Sequence, residues 1–289
     1  MSATTDSGAV PALSVIVPAS NEAGWIEPCL RALLASAGVR LQVVVVANGC
    51  DDNTAARARA LAPDFAARDW ALQVIERTAP GKPGALNAGD AAAWHDLRAY
   101  LDADVEVSPP LMAQLADALA GDGARYASGT PLVTACGWLA RNYARFWQSL
   151  PFVARGVPGF GLFAVNAAGR ARWGAFPGII SDDTFVRLHF TPAERHKVPA
   201  RYSWPMIEGF APLVRVRTRQ DQGVAEIAAR FPGLVQNAGR THPGKAWLAT
   251  RALHDPAGFA VYAGVALAVR LRRLGPGRRR AQPGWARGR

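Results

Sequence analysis

The sequence is poor in cysteine, and its C-terminal apolar run is too short to cross a membrane. Its three cysteines, Cys29, Cys50 and Cys136, are widely separated and form no Cys-x-x-Cys pair. This spacing argues against a disulfide framework and a zinc site, and it favours a reducing compartment. The apolar stretch at residues 256–269 has about 14 residues, too few for a bilayer core of about 30 Å. Residues 1–11 also lack the basic start and apolar run of a signal peptide, so we expect a cytoplasmic protein.

Acidic residues are absent from residues 270–289, which contain eight arginines. The net charge of the chain is +11, yet outside this segment 25 basic residues nearly balance 22 acidic ones. The balanced body has no nucleic-acid recognition motif, so we expect no nucleic-acid partner. We expect residues 270–289 to be a disordered basic tail. The preceding apolar segment is either a packed helix or an interfacial one, which would place residues 256–289 on anionic lipid at the inner face of the membrane.

The first 120 residues alternate regularly between strand and helix patterns. Apolar runs predict four strands, at residues 13–17, 41–47, 72–76 and 99–101. Helical patterns follow these strands at residues 23–37, 54–61, 85–94 and 109–120. Such repeats form a mostly parallel central sheet flanked by helices on both faces, the α/β class with a Rossmann-like sheet.

After residue 125 this alternation weakens, although a strand at 159–166 and a helix starting near Ser181 are still predicted. Neither an internal repeat nor a clean linker divides the chain. We therefore expect one catalytic domain with a C-terminal extension. The predicted boundaries are a flexible N-terminus at 1–11, the domain at 12–230, a helical extension at 231–269 and the basic tail at 270–289.

Asp102-Ala103-Asp104 directly follows the predicted strand at 99–101. Two carboxylates separated by one residue in an extended segment point to the same side. Together they can hold one hard divalent cation, Mg²⁺ or Mn²⁺, which in turn can hold a diphosphate. By itself such a pair is more often turn chemistry.

The position of this pair relative to other polar clusters strengthens the metal hypothesis. Pro18–Glu22, Asn48–Asp52 and Lys82 also follow the ends of predicted strands. Open parallel sheets bind their ligands at the carboxyl ends of the strands. The four clusters are therefore expected to meet at one edge of the sheet.

Together these segments resemble a family 2 glycosyltransferase with the nucleotide-diphospho-sugar transferase (GT-A) fold. The resemblance covers residues 12–190 and depends on the order and spacing of the motifs. They are Val15–Pro18 with Asn21-Glu22, Val44–Cys50 with Asp52 and Thr54, Gly81–Gly89, Asp102–Asp104, and Asp182-Asp183.

The resemblance implies a nucleotide-sugar donor, most simply UDP-linked, and a hydroxyl-bearing acceptor that is a glycan, a lipid-linked molecule or a small molecule. It assigns the cation, Mn²⁺ or Mg²⁺, to Asp104 directly. Asp102 contacts either the ribose of the donor or the cation, directly or through water. Asp52 either contacts the donor or supports the loop that does. The implied donor-binding residues are Pro18, Ala19, Asn21, Glu22, Asn48, Asp52, Lys82, Asp102 and Ala103.

For catalysis, Asp183 matches the aspartate of the family's Glu-Asp motif, and Asp182 replaces its glutamate. The resemblance implies that Asp183 takes the proton of the acceptor hydroxyl in a single displacement that inverts the anomeric carbon. Capping of the helix alone is the alternative role for this acidic pair. Gly159, Phe160 and Gly161 are expected on the acceptor side, or else to form an ordinary turn.

The chain departs from the processive polysaccharide synthases of this family. These carry a Gln-x-x-Arg-Trp motif and several long membrane helices, whereas residues 215–220 here contain no tryptophan. The resemblance therefore implies a non-processive enzyme. The alternatives are a nucleotidyltransferase on a related fold and a basic protein that binds nucleic acid or an anionic surface. A nucleotidyltransferase would need a basic, glycine-rich first loop, but Pro18–Glu22 is acidic and lacks glycine.

Overall fold

A computed structural model of the protein describes residues 10–239 and 243–274. The strands in this part are β1 (Ala12–Ala19), β2 (Arg40–Asn48), β3 (Ala71–Arg77), β4 (Arg98–Leu101), β5 (Glu106–Val107), β6 (Tyr126–Thr134), β7 (Leu162–Val165) and β8 (Arg195–Pro205). The helices are α1 (Ile26–Leu34), α2 (Thr54–Arg59), α3 (Ala62–Ala66), α4 (Lys82–Ala91), α5 (Leu111–Leu119), α6 (Trp138–Ser149), α7 (Pro151–Ala154), α8 (Ala167–Arg170), α9 (Asp182–Leu188), α10 (Phe210–Arg230), α11 (Lys245–His254) and α12 (Pro256–Leu274). Two 3₁₀ helices span Pro192–Glu194 and Pro232–Asn237.

The strands of the described part form one sheet in the order β3-β2-β1-β4-β7-β6-β8-β5. The first four pair in parallel, and β7 joins β4 and β6 in antiparallel fashion. Val43–Val46 in β2 are buried, as expected for a parallel strand covered by helices on both faces. The predicted α/β fold, with a mostly parallel central sheet flanked by helices, is therefore confirmed.

The second half of the sheet contains strands that the sequence did not reveal, β6 and β8. β6 includes Gly129 and Pro131, and β8 includes Pro199 and Pro205. These residue types normally argue against a strand interior. Here the β6–β8 pairing shifts its register between Ser128 and Thr130, so the irregularity falls at Gly129.

Pro18 belongs to β1, whereas the sequence predicted that it would end the strand. The N–H of Ser14 donates to the carbonyl of Leu97, the residue before β4. Backbone N–H groups alternate in direction along a strand, so the nitrogen of Pro18 also faces β4. Pairing with β4 ends at Ile16, so the missing N–H of Pro18 removes no ladder hydrogen bond. β1 therefore continues to Ala19 on its pairing with β2 alone.

The C-terminal helices pack on the second half of the molecule. Val265 and Val269 of α12 are buried in a cluster with Phe146 of α6 and Leu213 of α10. The apolar run at 256–269 is therefore a packed helix in this structure, and a lipid contact for residues 256–289 stays a prediction. Within residues 10–239 and 243–274, no helix is long and apolar enough to cross a membrane.

The predicted start of the basic tail at residue 270 falls inside α12, which continues to Leu274. Arginine and leucine favour a helix, and the first helix-breaking residues of this region are Gly275 and Pro276. Residues 275–289 of the predicted tail and residues 1–9 of the predicted N-terminal segment lie outside the described residues.

Helix α4 is fixed closely against the sheet, and this position determines where Lys82 lies. The helix starts at Lys82, three residues earlier than predicted, with Pro83 in its first turn. Near its other end, Asp90 is buried and accepts hydrogen bonds from Arg98 (2.5 Å), Tyr100 (2.8 Å) and Arg170 (2.6 Å). Between the two ends, a Cβ atom on Gly89 would lie 2.4 Å from Cγ2 of Ile16 in β1.

Replacing Gly89 with alanine should lower the free energy of unfolding by about 1–3 kcal/mol, the usual cost of overpacking a core. Ile16 is fully buried and cannot yield without moving β1. Gly84→Ala in the same helix is the matched control, because its Cβ would lie 3.6 Å from the end of the Arg77 side chain. Urea unfolding checks both variants, and equal losses of stability would contradict this packing.

Candidate active site

The loops after β1 and β2 are joined by hydrogen bonds between main chain and side chains. The N–H of Asn21 donates to Sγ of Cys50 (3.3 Å), and the N–H of Asp51 donates to Oδ1 of Asn21 (2.7 Å). The N–H of Glu22 donates to the hydroxyl of Thr54 (2.7 Å). Asn21 has a φ of 56°, a left-handed conformation that asparagine tolerates. Asn21 and Glu22, both half-buried, therefore form one rim with the second loop.

Asp52 holds this rim together. Its Oδ2 accepts a hydrogen bond from the N–H of Ala23 (3.1 Å). Its Oδ1 accepts from the N–H (3.0 Å) and the hydroxyl (2.5 Å) of Thr54 at the start of α2. In this structure the carboxylate supports the two loops, which is the second of its two expected roles.

Several residues expected at the donor are buried below this edge of the sheet. Pro18 and Ala19 lie at the buried end of β1, and Ala103 is buried between the two aspartates. Asn48 is fully buried, and its amide nitrogen donates to the carbonyl of Gly81 (3.0 Å). Asn48 thus supports the residue that precedes Lys82, and a contact between Asn48 and a nucleotide base stays a prediction.

Lys82 brings together two carboxylates that are distant in the sequence. Its Nζ lies 2.8 Å from Oδ1 of Asp102 and 3.1 Å from Oδ2 of Asp182. Burial by itself lowers the pKa of Lys82, but the charges of Asp102 and Asp182 outweigh it and raise the pKa above its ordinary value. Lys82 therefore stays protonated, and it neutralises part of the negative charge of this cluster.

Asp183 lies beside this cluster at the start of α9. Its Oδ1 accepts a hydrogen bond from the N–H of Thr184 (2.6 Å). Burial, followed by the charge of Asp182, raises the pKa of Asp183 to about 6, while Lys82 and Arg187 act in the opposite direction. A carboxyl group with this pKa is ionised at neutral pH and can accept a proton.

The Gly159–Gly161 segment reaches the same place from the other side. The carbonyl of Gly161 accepts a hydrogen bond from the N–H of Asp102 (2.9 Å). A Cβ atom at Gly159 would lie 1.6 Å from the hydroxyl of Tyr126. Phe160 is buried, with its ring centre 4.8 Å from that of Trp204. The two glycines have positive φ angles, and close packing explains the glycine at 159 without reference to a ligand.

Asn87 fixes α4 relative to the segment that leads into α9. Its side-chain amide donates to the carbonyl of Phe176 (3.1 Å), and its Oδ1 accepts from the N–H of Phe176 (2.7 Å). This pair of hydrogen bonds holds α4, which begins with Lys82, next to the segment that leads to Asp182. Arg187 is a further buried residue near Asp183 that the sequence did not single out. Its position four residues after Asp183, on the same face of a helix, is the signal that could have revealed it.

The donor set at this edge fits a hard divalent cation that binds together with a diphosphate. Mg²⁺ typically uses one or two protein carboxylates and completes its shell with water and substrate phosphates. Asp102 and Asp104, both half-buried, offer such a pair. Among the described residues, no group of three or more histidine, cysteine, aspartate or glutamate side chains is arranged to hold a metal by itself.

Comparisons with known sequences point to one family. The model of the family described as Glycosyl transferase family 2 matches residues 14–172. An uncharacterized glycosyltransferase of Bacillus subtilis (strain 168), EpsJ, is 31% identical over 108 residues, which are 37% of this chain and 30% of that protein. YibD, an uncharacterized glycosyltransferase of Escherichia coli (strain K12), is 25% identical over 139 residues, 48% of this chain and 38% of that protein. The matches thus span well under half of these two relatives, and the family match ends before Asp182.

Solved structures with a similar fold are more distant in sequence. The mannosyltransferase PcManGT from Pyrobaculum calidifontis, in complex with GDP-Man and Mn²⁺, has a TM-score of 0.58 at 23% identity, covering 92% of this chain and 76% of that one. The glucosyl-3-phosphoglycerate synthase of Mycobacterium tuberculosis, in complex with Mn²⁺, UDP and glucosyl-3-phosphoglycerate, has a TM-score of 0.51 at 20% identity, covering 76% and 80%. These similarities show the GT-A fold.

Replacing Asp52 with alanine should lower the free energy of unfolding by about 1–2 kcal/mol, because it leaves the first turn of α2 and the first loop without their acceptor. Asp51→Ala is the matched control, since the side chain of Asp51 is exposed. Chemical unfolding measures both effects. An Asp51→Ala variant as unstable as Asp52→Ala would contradict the supporting role of Asp52.

Proposed function

The chain belongs to glycosyl transferase family 2, and from this membership we propose that it transfers a single sugar from a nucleoside diphosphate donor to an acceptor hydroxyl, with inversion at the anomeric carbon. The enzyme is a glycosyltransferase, which argues against the nucleotidyltransferase and nucleic-acid-binding alternatives. The finer points, namely the donor, the cation, the base and the non-processive action, are proposals.

The observation that carries this proposal is the contact of Lys82 with Asp102 and Asp182. Asp102 belongs to the expected donor and cation side, and Asp182 adjoins the expected base. A single ammonium group touches both, so the donor and the acceptor hydroxyl would meet within a few ångströms. A transfer reaction gains its rate largely from holding the two reactants in this way.

On the donor side, we propose that the joined loops around Asn21 and Glu22 receive the nucleoside and that Lys82 reaches its phosphates. An ammonium group suits a phosphate because it acts as a point charge without fixed geometry. We take UDP as the first donor nucleotide to test and GDP as the second, since the similar structures contain one or the other.

We propose that Asp104, with Asp102, holds Mn²⁺ or Mg²⁺ when the donor is bound. The cation would supply charge neutralisation for the departing nucleoside diphosphate. Lys82 contributes positive charge to the same region from the protein itself.

On the acceptor side, we propose that Asp183 is the general base. As the acceptor oxygen attacks the anomeric carbon, its proton passes to the carboxylate of Asp183 and the bond between that carbon and the phosphate oxygen breaks. One displacement of this kind inverts the anomeric configuration. The ion pair of Asp182 with Lys82 leaves Asp183 as the carboxylate available for the proton. The backbone at Gly159, Phe160 and Gly161 would border the acceptor.

Asp104→Ala and Asp183→Asn should both abolish transfer, but they should differ in nucleotide binding. Loss of Asp104 removes a cation ligand, so UDP or GDP binding in the presence of Mn²⁺ should weaken. Loss of the Asp183 charge should leave nucleotide binding nearly unchanged. Calorimetry for binding and product analysis for transfer measure the two effects, with NMR reporting the anomer. Wild-type transfer by either variant, or retention of the anomeric configuration, would contradict the assigned roles.

The rate of sugar transfer should also fall at acidic pH. Asp183 has a raised pKa of about 6 and works as a base only when ionised, so the rate should rise with pH up to about 6 and then level off. The measurement is kcat/KM between pH 5 and 8, with nucleotide affinity determined at each pH as the control. A rate independent of pH across this range would argue against Asp183 as the base.

A further inference from the structure

Arg187 is a buried cation for which the described part of the chain offers no counter-ion contact. It is 7% exposed, and its Nε has no hydrogen-bond partner within residues 10–239 and 243–274. In the same part of the chain its guanidinium forms no salt bridge, and its Cζ lies 5.2 Å from the ring centre of Phe152. Burying such a group is costly unless something pairs with it. A ligand of opposite charge would supply that pair.

The direction of Arg187 is given by its position on α9. Asp183 and Arg187 are four residues apart and share one face of the helix, whereas Asp182 is turned by about 100° towards Lys82. The helix therefore presents Asp182 to the donor side and the Asp183–Arg187 face to the other side. Electrostatic interaction of Arg187 with both Asp183 and Tyr126 agrees with this arrangement.

A second polar group without a partner lies at the same place. The hydroxyl of Tyr126 is buried and has no hydrogen-bond partner among the described residues. It lies directly under Gly159, where a Cβ would come within 1.6 Å of it. Tyr126 and Arg187 influence each other electrostatically, so two hydrogen-bond donors occupy one region beside Asp183.

A second cation, Arg195, lies close to Arg187, whereas Asp183 is the carboxylate with which Arg187 interacts. The guanidinium of Arg195 donates to the carbonyls of Arg187 (3.1 Å) and Phe190 (2.6 Å). Main-chain oxygens satisfy this group without cancelling its charge. Burial, with Arg187 as the next cause, lowers the pKa of Arg195 to about 10, as expected where cations crowd together.

We propose that Arg187, together with the hydroxyl of Tyr126, binds an acidic group of the acceptor, a carboxylate or a phosphate, next to the hydroxyl that Asp183 activates. This inference rests on the proposed function, because it places the acceptor at Asp183. A guanidinium group binds either anion through two parallel hydrogen bonds. The acceptor would then be a hydroxylated acid, not a neutral sugar.

The test is a calorimetric titration of the full chain with inorganic phosphate and, separately, with acetate. UDP or GDP and Mg²⁺ are kept in excess, so that phosphate cannot occupy the donor site. The wild type should bind at least one of the two anions, and which one binds identifies the acidic group. Arg187→Met should weaken this binding by about tenfold or more, as expected for the loss of a charge-assisted hydrogen bond.

Arg172→Met is the matched control. Arg172 also lies over a phenyl ring, that of Phe190 at 4.9 Å, but it pairs with Glu194. This variant should bind the anion as the wild type does. Equal anion affinity in Arg187→Met and the wild type, or no binding of either anion by the wild type in the millimolar range, would overturn the proposal.

Two further measurements distinguish failure of the anion-binding proposal from misfolding of a variant and from failure of the proposed function. If Arg187→Met does not fold, Arg187→Lys replaces it. This variant keeps the charge but loses the paired hydrogen bonds, and unchanged anion affinity in it also overturns the proposal. If neither UDP nor GDP binds to the wild type, the proposed function fails by itself. The anion titration without nucleotide then still tests Arg187 by comparing the same variants.

Discussion

Carboxylates that approach each other inside a protein need a shared counter-charge, and Lys82 supplies it in this chain. Its ammonium group contacts Asp102 after β4 and Asp182 at the start of α9, and Asp183 lies next to the second of these. Without such a cation, the carboxylates of Asp102 and Asp182 would repel each other and push the two segments apart. The other features described here position this contact: Asn48 holds Gly81, Asn87 holds Phe176, and the Asp90 network anchors the far end of α4.

The first half of the fold could be predicted because its apolar runs favour one structure, a buried strand. Val43–Val46 form a continuous apolar run, which is typical of a parallel strand buried on both faces. The strands in the second half of the fold do not form such continuous apolar runs. β6 and β8 contain glycine and proline, and they pair with each other across a shift in register that no apolar run in the sequence indicates. Helix α10 has 21 residues but buries few of them, namely Leu213, Val214, Gly223 and Ile227, so its apolar pattern is sparse.

The candidate site was predictable to the extent that its residues follow strand ends. Lys82 and Asp102 lie at one edge for this reason. Asp182 and Asp183 came from the family resemblance, since no local pattern places α9 opposite that edge. Burial is the property that the sequence could not supply. It makes Asn48 a support within the core, and it makes Arg187 a candidate ligand-binding residue although arginine is common on surfaces.

The bond between Asn87 and Phe176 has a consequence for the synthesis of the protein. Lys82 leaves the ribosome a hundred residues ahead of Asp182, and the two meet only when the segment around Phe176 docks on α4. During that interval β1–β4 can pair with one another, because all four strands have been synthesised once the chain has passed Leu101. A nascent chain can therefore carry the first four strands and Asp102 before Asp182 and Asp183 have been synthesised, and the ion pair of Lys82 with Asp182 forms only after translation has passed the start of α9.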